Sequence, residues 1–166
     1  MKATELLKKQ HKAVKKLFGE LKKLEGAARR PVMEQISQDL AHHMAIEEEI
    51  FYPAVRELDT KQTDQMIPEA YEEHHVVKLV LAEIPRVDPE DERFEAKMTV
   101  LQELIEHHVE EEEDEMFTTA ERLGDGRLKT LGAQMEASHG TPRGGDKDGR
   151  PSQPSAHAHS ARARHA

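Results

Sequence analysis

Between Thr4 and Leu24 the large apolar side chains Leu7, Val14, Leu17, Phe18, Leu21 and Leu24 recur at intervals of three and four residues. That period gathers them on one face of an α-helix. Gly26 and the basic run to Arg30 interrupt the pattern. Pro31 suits the first turn of a second helix, in which Met33, Ile36, Leu40, Ile46 and Ile50 carry the stripe on to about Leu58. Pro53 falls inside this helix, where its ring removes a backbone donor and crowds the preceding turn, so a kink is expected near Tyr52. After Asp59 to Thr63, the residues Ile67, Tyr71, Val77, Leu81 and Ile84 predict a third helix that Pro85 ends. A turn over Arg86 to Asp91 leads to a fourth, marked by Phe94, Met98, Leu101, Leu104, Ile105 and Met116 and stopped by Gly124-Asp125-Gly126. A short helix near Leu128 to Met135 is expected after it.

Polar residues interrupt these apolar stripes in a repeated way. His11 lies in the stripe of Leu7 and Val14, and His43 with Glu47 lies between Leu40 and Ile50. His74 lies between Tyr71 and Val77, and His108 with Glu112 between Ile105 and Met116. His11 and His74 are separated by 63 residues, His43 and His108 by 65, and Glu47 and Glu112 by 65. Two helical hairpins therefore carry the same polar groups at nearly the same places. A His and a Glu four apart share one helix face, so all six groups are expected to meet inside one bundle. Carboxylates and imidazoles are costly to bury unless they are paired or bind metal, and metal ions would supply the compensating charge.

Doubled histidines leave a choice of register, because His107 with Glu111 has the same spacing as His108 with Glu112. Tyr52 follows Glu47 and Phe117 follows Glu112 at the same distance, which selects His108 and Glu112. His42, His75 and His107 are left as exposed residues or as supports behind the site. The runs Glu47-Glu48-Glu49 and Glu110 to Glu115 are otherwise taken as solvated helix faces.

Composition narrows the chemistry. Charged residues form 34% of the 166-residue chain and aromatics 4%, with no Trp, which favours an all-α class, here an antiparallel up-down-up-down four-helix bundle. Length allows one domain, expected over 1–136. Residues 137–166 turn to Gly, Pro, Ser, Ala, His and Arg, so a disordered tail is expected; its His157, His159 and His165 are taken as part of a flexible appendage. The absence of Cys excludes disulfides and thiolate sites, leaves imidazole and carboxylate as metal ligands, and fits a reducing cytoplasm. No signal peptide and no membrane-spanning run is expected. The net charge of −9, on an acidic body with a basic tail, argues against a general nucleic-acid binder.

With its local wording His43-Met-Ala-Ile-Glu-Glu-Glu-Ile-Phe-Tyr-Pro53 and His108-Val-Glu-Glu-Glu-Glu-Asp-Glu-Met-Phe117, the chain resembles the hemerythrin-like HHE cation-binding family over about residues 3–125. In that family His, His-x3-Glu, His and His-x3-Glu on four antiparallel helices hold a non-haem di-iron centre. The resemblance implies that His11 and His43 ligate one iron and His74 and His108 the other, with Glu47 and Glu112 bridging an oxo- or hydroxo-linked pair. The family's oxygen carriers place a further His one turn after the third-helix ligand, where this chain has Lys78. More open coordination is then implied, which favours reaction with oxygen, peroxide or nitric oxide, peroxide decomposition among them, over reversible carriage. Tyr52 is a further candidate ligand, although nine residues after His43 is about half a turn away in a regular helix. Alternatives are a non-enzymatic iron or oxygen sensor or store acting through an unidentified protein partner, and a zinc- or manganese-binding bundle, since imidazole and carboxylate suit all three metals.

Overall fold

The computed structural model describes residues 1–138, which form five helices and no strand. The expected tail thus opens in helix at Ala137 and Ser138 and otherwise lies outside the described residues. Helix α1 is Ala3–Leu21. Its first turn is closed by the Lys2 backbone N–H, which donates to Glu5 Oε2 at 2.9 Å. After a 3₁₀ turn at Gly26–Ala28, helix α2 begins as Arg29–Ile46, with Pro31 in its first turn as expected. It passes without interruption through a π-helical turn, Glu47–Phe51, into a last α-helical stretch, Tyr52–Arg56. The irregularity expected at Pro53 is therefore a widened turn just before it.

Helix α3 is Lys61–Glu83, begun by a Thr60 hydroxyl that accepts from the Thr63 N–H at 3.1 Å. It starts earlier than the apolar stripe suggests and absorbs Pro68 in its interior. A 3₁₀ turn at Ile84–Arg86, with Pro85 in it, ends the run. Helix α4 is Glu92–Glu111, capped by Asp91, whose carboxylate accepts from the Arg93 N–H at 2.8 Å. It continues through a second π-helical turn, Glu112–Met116, and an α-helical turn, Phe117–Ala120. Only Gly124, at φ +84°, breaks the chain there; Asp125 and Gly126 already belong to helix α5, Asp125–Ser138. That helix is longer than the one expected at Leu128 to Met135.

The core has two apolar clusters. One gathers Leu7 of α1, Phe51 and Tyr52 after the first π turn, Ile67 of α3, Phe117 after the second π turn, and Leu128 and Met135 of α5. The other gathers Val14 and Phe18 of α1, Met33 and Ile36 of α2, Val77 of α3 and Leu101 of α4. On α1, α3 and α4, His11, His74 and His108 fall between residues of one cluster and residues of the other, which defines a polar layer inside the molecule. Among the described residues no helix is long and apolar enough to cross a membrane.

Candidate metal centre

Each residue expected at the site is buried: Glu47 is 0% exposed, Glu112 and His74 1%, His108 3%, His43 4% and His11 7%. They converge. His11 Nε2 and His43 Nε2 are 3.1 Å apart, and so are His74 Nε2 and His108 Nε2. Glu47 lies between the two pairs, with Oε1 3.2 Å from His43 Nε2 and Oε2 3.4 Å from His74 Nε2. Glu112 offers a single oxygen to both sides, Oε2 being 3.4 Å from His11 Nε2 and 3.6 Å from His108 Nε2. Two overlapping sets of ligand atoms result, one from His11, His43, Glu47 and Glu112, the other from Glu47, His74 and His108, each within 4.8 Å of one another.

The other ring nitrogen of each of these four histidines is held by a side chain outside the expected set of six. His11 Nδ1 donates to Glu113 Oε1 at 2.9 Å and His74 Nδ1 to Glu48 Oε1 at 2.9 Å. His43 Nδ1 donates to Gln10 Oε1 at 2.9 Å and His108 Nδ1 to Glu73 Oε2 at 2.7 Å. Glu48 and Glu113 were expected on solvated faces; they turn inward instead, each being the second residue of a wide π turn that the buried Glu before it opens. The signal was present in the repeat. Glu48 and Glu113 are 65 residues apart, and Gln10 and Glu73, each just before the first His of its half, are 63 apart.

These partners decide what the centre lacks. A carboxylate or an amide oxygen only accepts, so each Nδ1 carries a proton, and each Nε2 faces the centre, offering a lone pair there when its ring is neutral. Burial and the neighbouring His11 hold His43 far below its ordinary range, and burial and His108 pull His74 down to about 4, so both are neutral near pH 7. His108 is raised, because Glu112 and Glu73 outweigh its burial. Glu47 Oε1, Glu47 Oε2 and Glu112 Oε2 are buried with no hydrogen-bond partner among the described residues. Burial and the Glu112 carboxylate push Glu47 well up; burial acts on Glu112 too, but His108 and His11 outweigh it and hold it well below the usual carboxylate range. Lone pairs and lone carboxylate oxygens facing one another in a closed core are the complement of cations.

Tyr52 reaches this centre. Its hydroxyl donates to Glu112 Oε1 at 2.8 Å and lies 3.2 Å from His74 Nε2. The π turn explains the reach: the Tyr52 N–H bonds the Glu47 carbonyl, so five residues span a turn and Tyr52 is rotated back toward the face of Glu47. Burial, Glu47 and Glu112 push its phenol well above the ordinary range. Lys78, where a fifth histidine was looked for, stays outside and its ammonium donates to Glu48 Oε1 at 2.5 Å. His75 and His107 are exposed and His42 is half-buried. His107 pairs on the surface with Glu111, at 3.4 Å.

Comparison with known proteins agrees with the helical layout. A DNA nickase from Nostoc sp. (strain PCC 7120 / SAG 25.82 / UTEX 2576) is 29% identical over 118 residues, covering 70% of this chain. The chain spans only 33% of that protein's length. The crystal structure of a hemerythrin HHE cation binding domain-containing protein from Mycobacterium kansasii superimposes with a TM-score of 0.73 at 25% identity, covering 83% of this chain and 85% of that one. Residues 2–120 match the family described as hemerythrin HHE cation binding domain, and with four histidines and two glutamates buried in one layer of those residues, the chain belongs to that family.

Proposed function

We propose that the chain is a non-haem di-iron protein, of one bundle domain over about residues 1–136, that binds or reacts with oxygen, peroxide or nitric oxide. The observation that carries the reading is the meeting of four imidazole Nε2 atoms with three unpartnered carboxylate oxygens in a buried layer. An antiparallel up-down-up-down order of the four long helices is part of the proposal. It is supported by the alternation of the chain between the clusters: α1 and α3 leave the first cluster for the second, whereas α2 and α4 do the reverse.

In this reading His11 and His43 would hold one iron and His74 and His108 the other, with Glu47 and Glu112 shared between them. The iron pair, when bound, supplies redox chemistry and Lewis acidity toward a small ligand. Glu113, Gln10, Glu48 and Glu73 fix the ring orientation and keep the four Nε2 lone pairs directed inward. Tyr52 holds Glu112 Oε1 and is proposed as an additional ligand on the His74 side. Beside the four histidines lies a cavity of about 10 Å³ with Val14, Leu40, Met44, Ile105 and Val109 in its walls. It has room for about one water-sized molecule, which suits a diatomic gas or peroxide. Lys78, engaged by Glu48, is unable to fill a coordination position.

Elemental analysis and an optical spectrum of protein purified without added metal test the assignment of iron over zinc or manganese. Iron-loaded protein is expected to hold about two irons per chain, one for each of the two ligand sets, and to release oxygen from peroxide. Glu47→Ala and His108→Ala each abolish both. Full metal content and normal peroxide turnover in these variants would overturn the proposal.

A further inference from the structure

We propose that the acidic cleft between α3 and α4 is the route by which divalent cations reach the buried centre, with Glu73 as the residue that passes them inward. The inference rests on reading that centre as a metal site. The cleft encloses about 140 Å³ and is lined at its mouth by Glu69, Glu73, Glu111 and Glu115. At its floor lie His108 and Glu112, and no Lys or Arg lines it. Glu112 is 1% exposed and its Oε2 has no hydrogen-bond partner, so the cleft ends on an unsatisfied buried anion.

Glu73 joins the outside to the inside. Its Oε2 accepts from the buried His108 Nδ1 at 2.7 Å, while its Oε1 lies 3.7 Å from the exposed His107 Nε2. His107 Nε2 is in turn 3.4 Å from Glu111 Oε1, and Glu73, His107 and Glu111 offer three ligand atoms within 4.8 Å of one another. A cation attracted to the mouth exchanges some of its water for these groups, and then exchanges them for Glu112 and the inner histidines. At no stage does it lose all its oxygen and nitrogen ligands. The groove between α1 and α4 also reaches a site histidine, His11, but there Lys12 and Lys15 offset part of the charge of Glu106, Glu110, Glu113 and Asp114, whereas no Lys or Arg offsets the acids of the α3/α4 cleft.

The test compares two pairs of substitutions that remove the same charge. Chelator-stripped full-length protein is mixed with cobalt(II), and uptake is followed by its d–d absorption in a stopped-flow instrument. Glu69→Gln/Glu111→Gln slows uptake by about 10-fold, the low end of what focusing of charge in a cleft provides. Glu106→Gln/Glu110→Gln, in the α1/α4 groove, changes it by less than about 2-fold. Both variants reach the wild-type cobalt content at the end of the reaction. Equal slowing by both pairs would show general attraction and overturn the route; so would an unchanged rate in the first pair, or a loss of its final cobalt. Failure of the wild type to take up cobalt would overturn the metal centre itself, and the route with it.

Discussion

Tyr52 is the residue at which local pattern and three-dimensional position diverge most. In a regular helix it points about half a turn away from His43, yet its hydroxyl lies 2.8 Å from Glu112 Oε1. Iron-loaded wild-type protein is expected to show a visible charge-transfer band that Tyr52→Phe removes; an unchanged spectrum would leave Tyr52 as a hydrogen-bond donor alone. In the metal-free protein the same change leaves Glu112 Oε1 without its donor, at a cost of about 1.5–3 kcal/mol for a bond to a charged group, measurable by denaturant unfolding. The burial of the six polar residues was legible because each interrupts an apolar stripe, and burial of a polar group on such a stripe needs a reason. Glu48 and Glu113 were not, because each lies in a run of acids that reads as a solvated face although only one member of it turns inward.

At the scale of elements, the two π-helical turns are the main departure from regular helix, and they obey the repeat: Glu47–Phe51 and Glu112–Met116 begin 65 residues apart. Proline is not their common cause, since Pro53 follows the first while Thr118 stands at the matching place after the second. Widening a turn leaves backbone carbonyls short of partners. The Tyr71 hydroxyl donates to the Glu48 carbonyl at 3.0 Å and the Thr118 hydroxyl to the Asp114 carbonyl at 2.8 Å. In exchange, each turn brings an aromatic ring against a site histidine: Tyr52 lies 5.5 Å from His74, and Phe117 is stacked 5.9 Å from His11.

Helix α5 closes the same end through a close approach. A Cβ on Gly132 would meet the Met1 carbonyl oxygen at 2.3 Å and the Ala3 nitrogen at 3.0 Å, both backbone atoms with little freedom to yield. Gly132→Ala gains about 1 kcal/mol of helix propensity but incurs overpacking of about 1–3 kcal/mol, so the balance is unfavourable. The melting temperature is expected to fall by a few degrees, at about 2–4 °C per kcal/mol for a chain of this size. An increase would show that the N-terminal segment moves aside freely.

For the whole molecule, the proposed metal centre implies a trade of stability for binding. Metal-free protein keeps two carboxylates in one buried layer, and the Glu112 charge beside Glu47 is among the causes that push Glu47 well up. Glu47→Gln removes that conflict, and its amide can donate to the His43 or His74 lone pair, so metal-free protein becomes more stable. The gain on metal binding shrinks at the same time. Wild-type protein at a metal concentration 100 times Kd is expected to gain about 2.7 kcal/mol. Calorimetry with chelator and with metal reads both changes; a lower melting temperature of metal-free Glu47→Gln would show that Glu47 supports the core without a cation.

By itself the sequence determined the helical class, the order of the helices and the six buried polar positions. All three depend on periodicity, and a period of about 3.6 residues is a local property of the chain. It also carried the 63- and 65-residue repeat that selects His108 and Glu112 over His107 and Glu111. Only the tertiary structure decided the phase of the helices after the two π turns, the place of Tyr52 and the partners of the four Nδ1 atoms. One added residue per turn rotates everything beyond it, and which side chain then faces a histidine is set by the neighbouring helix across the core.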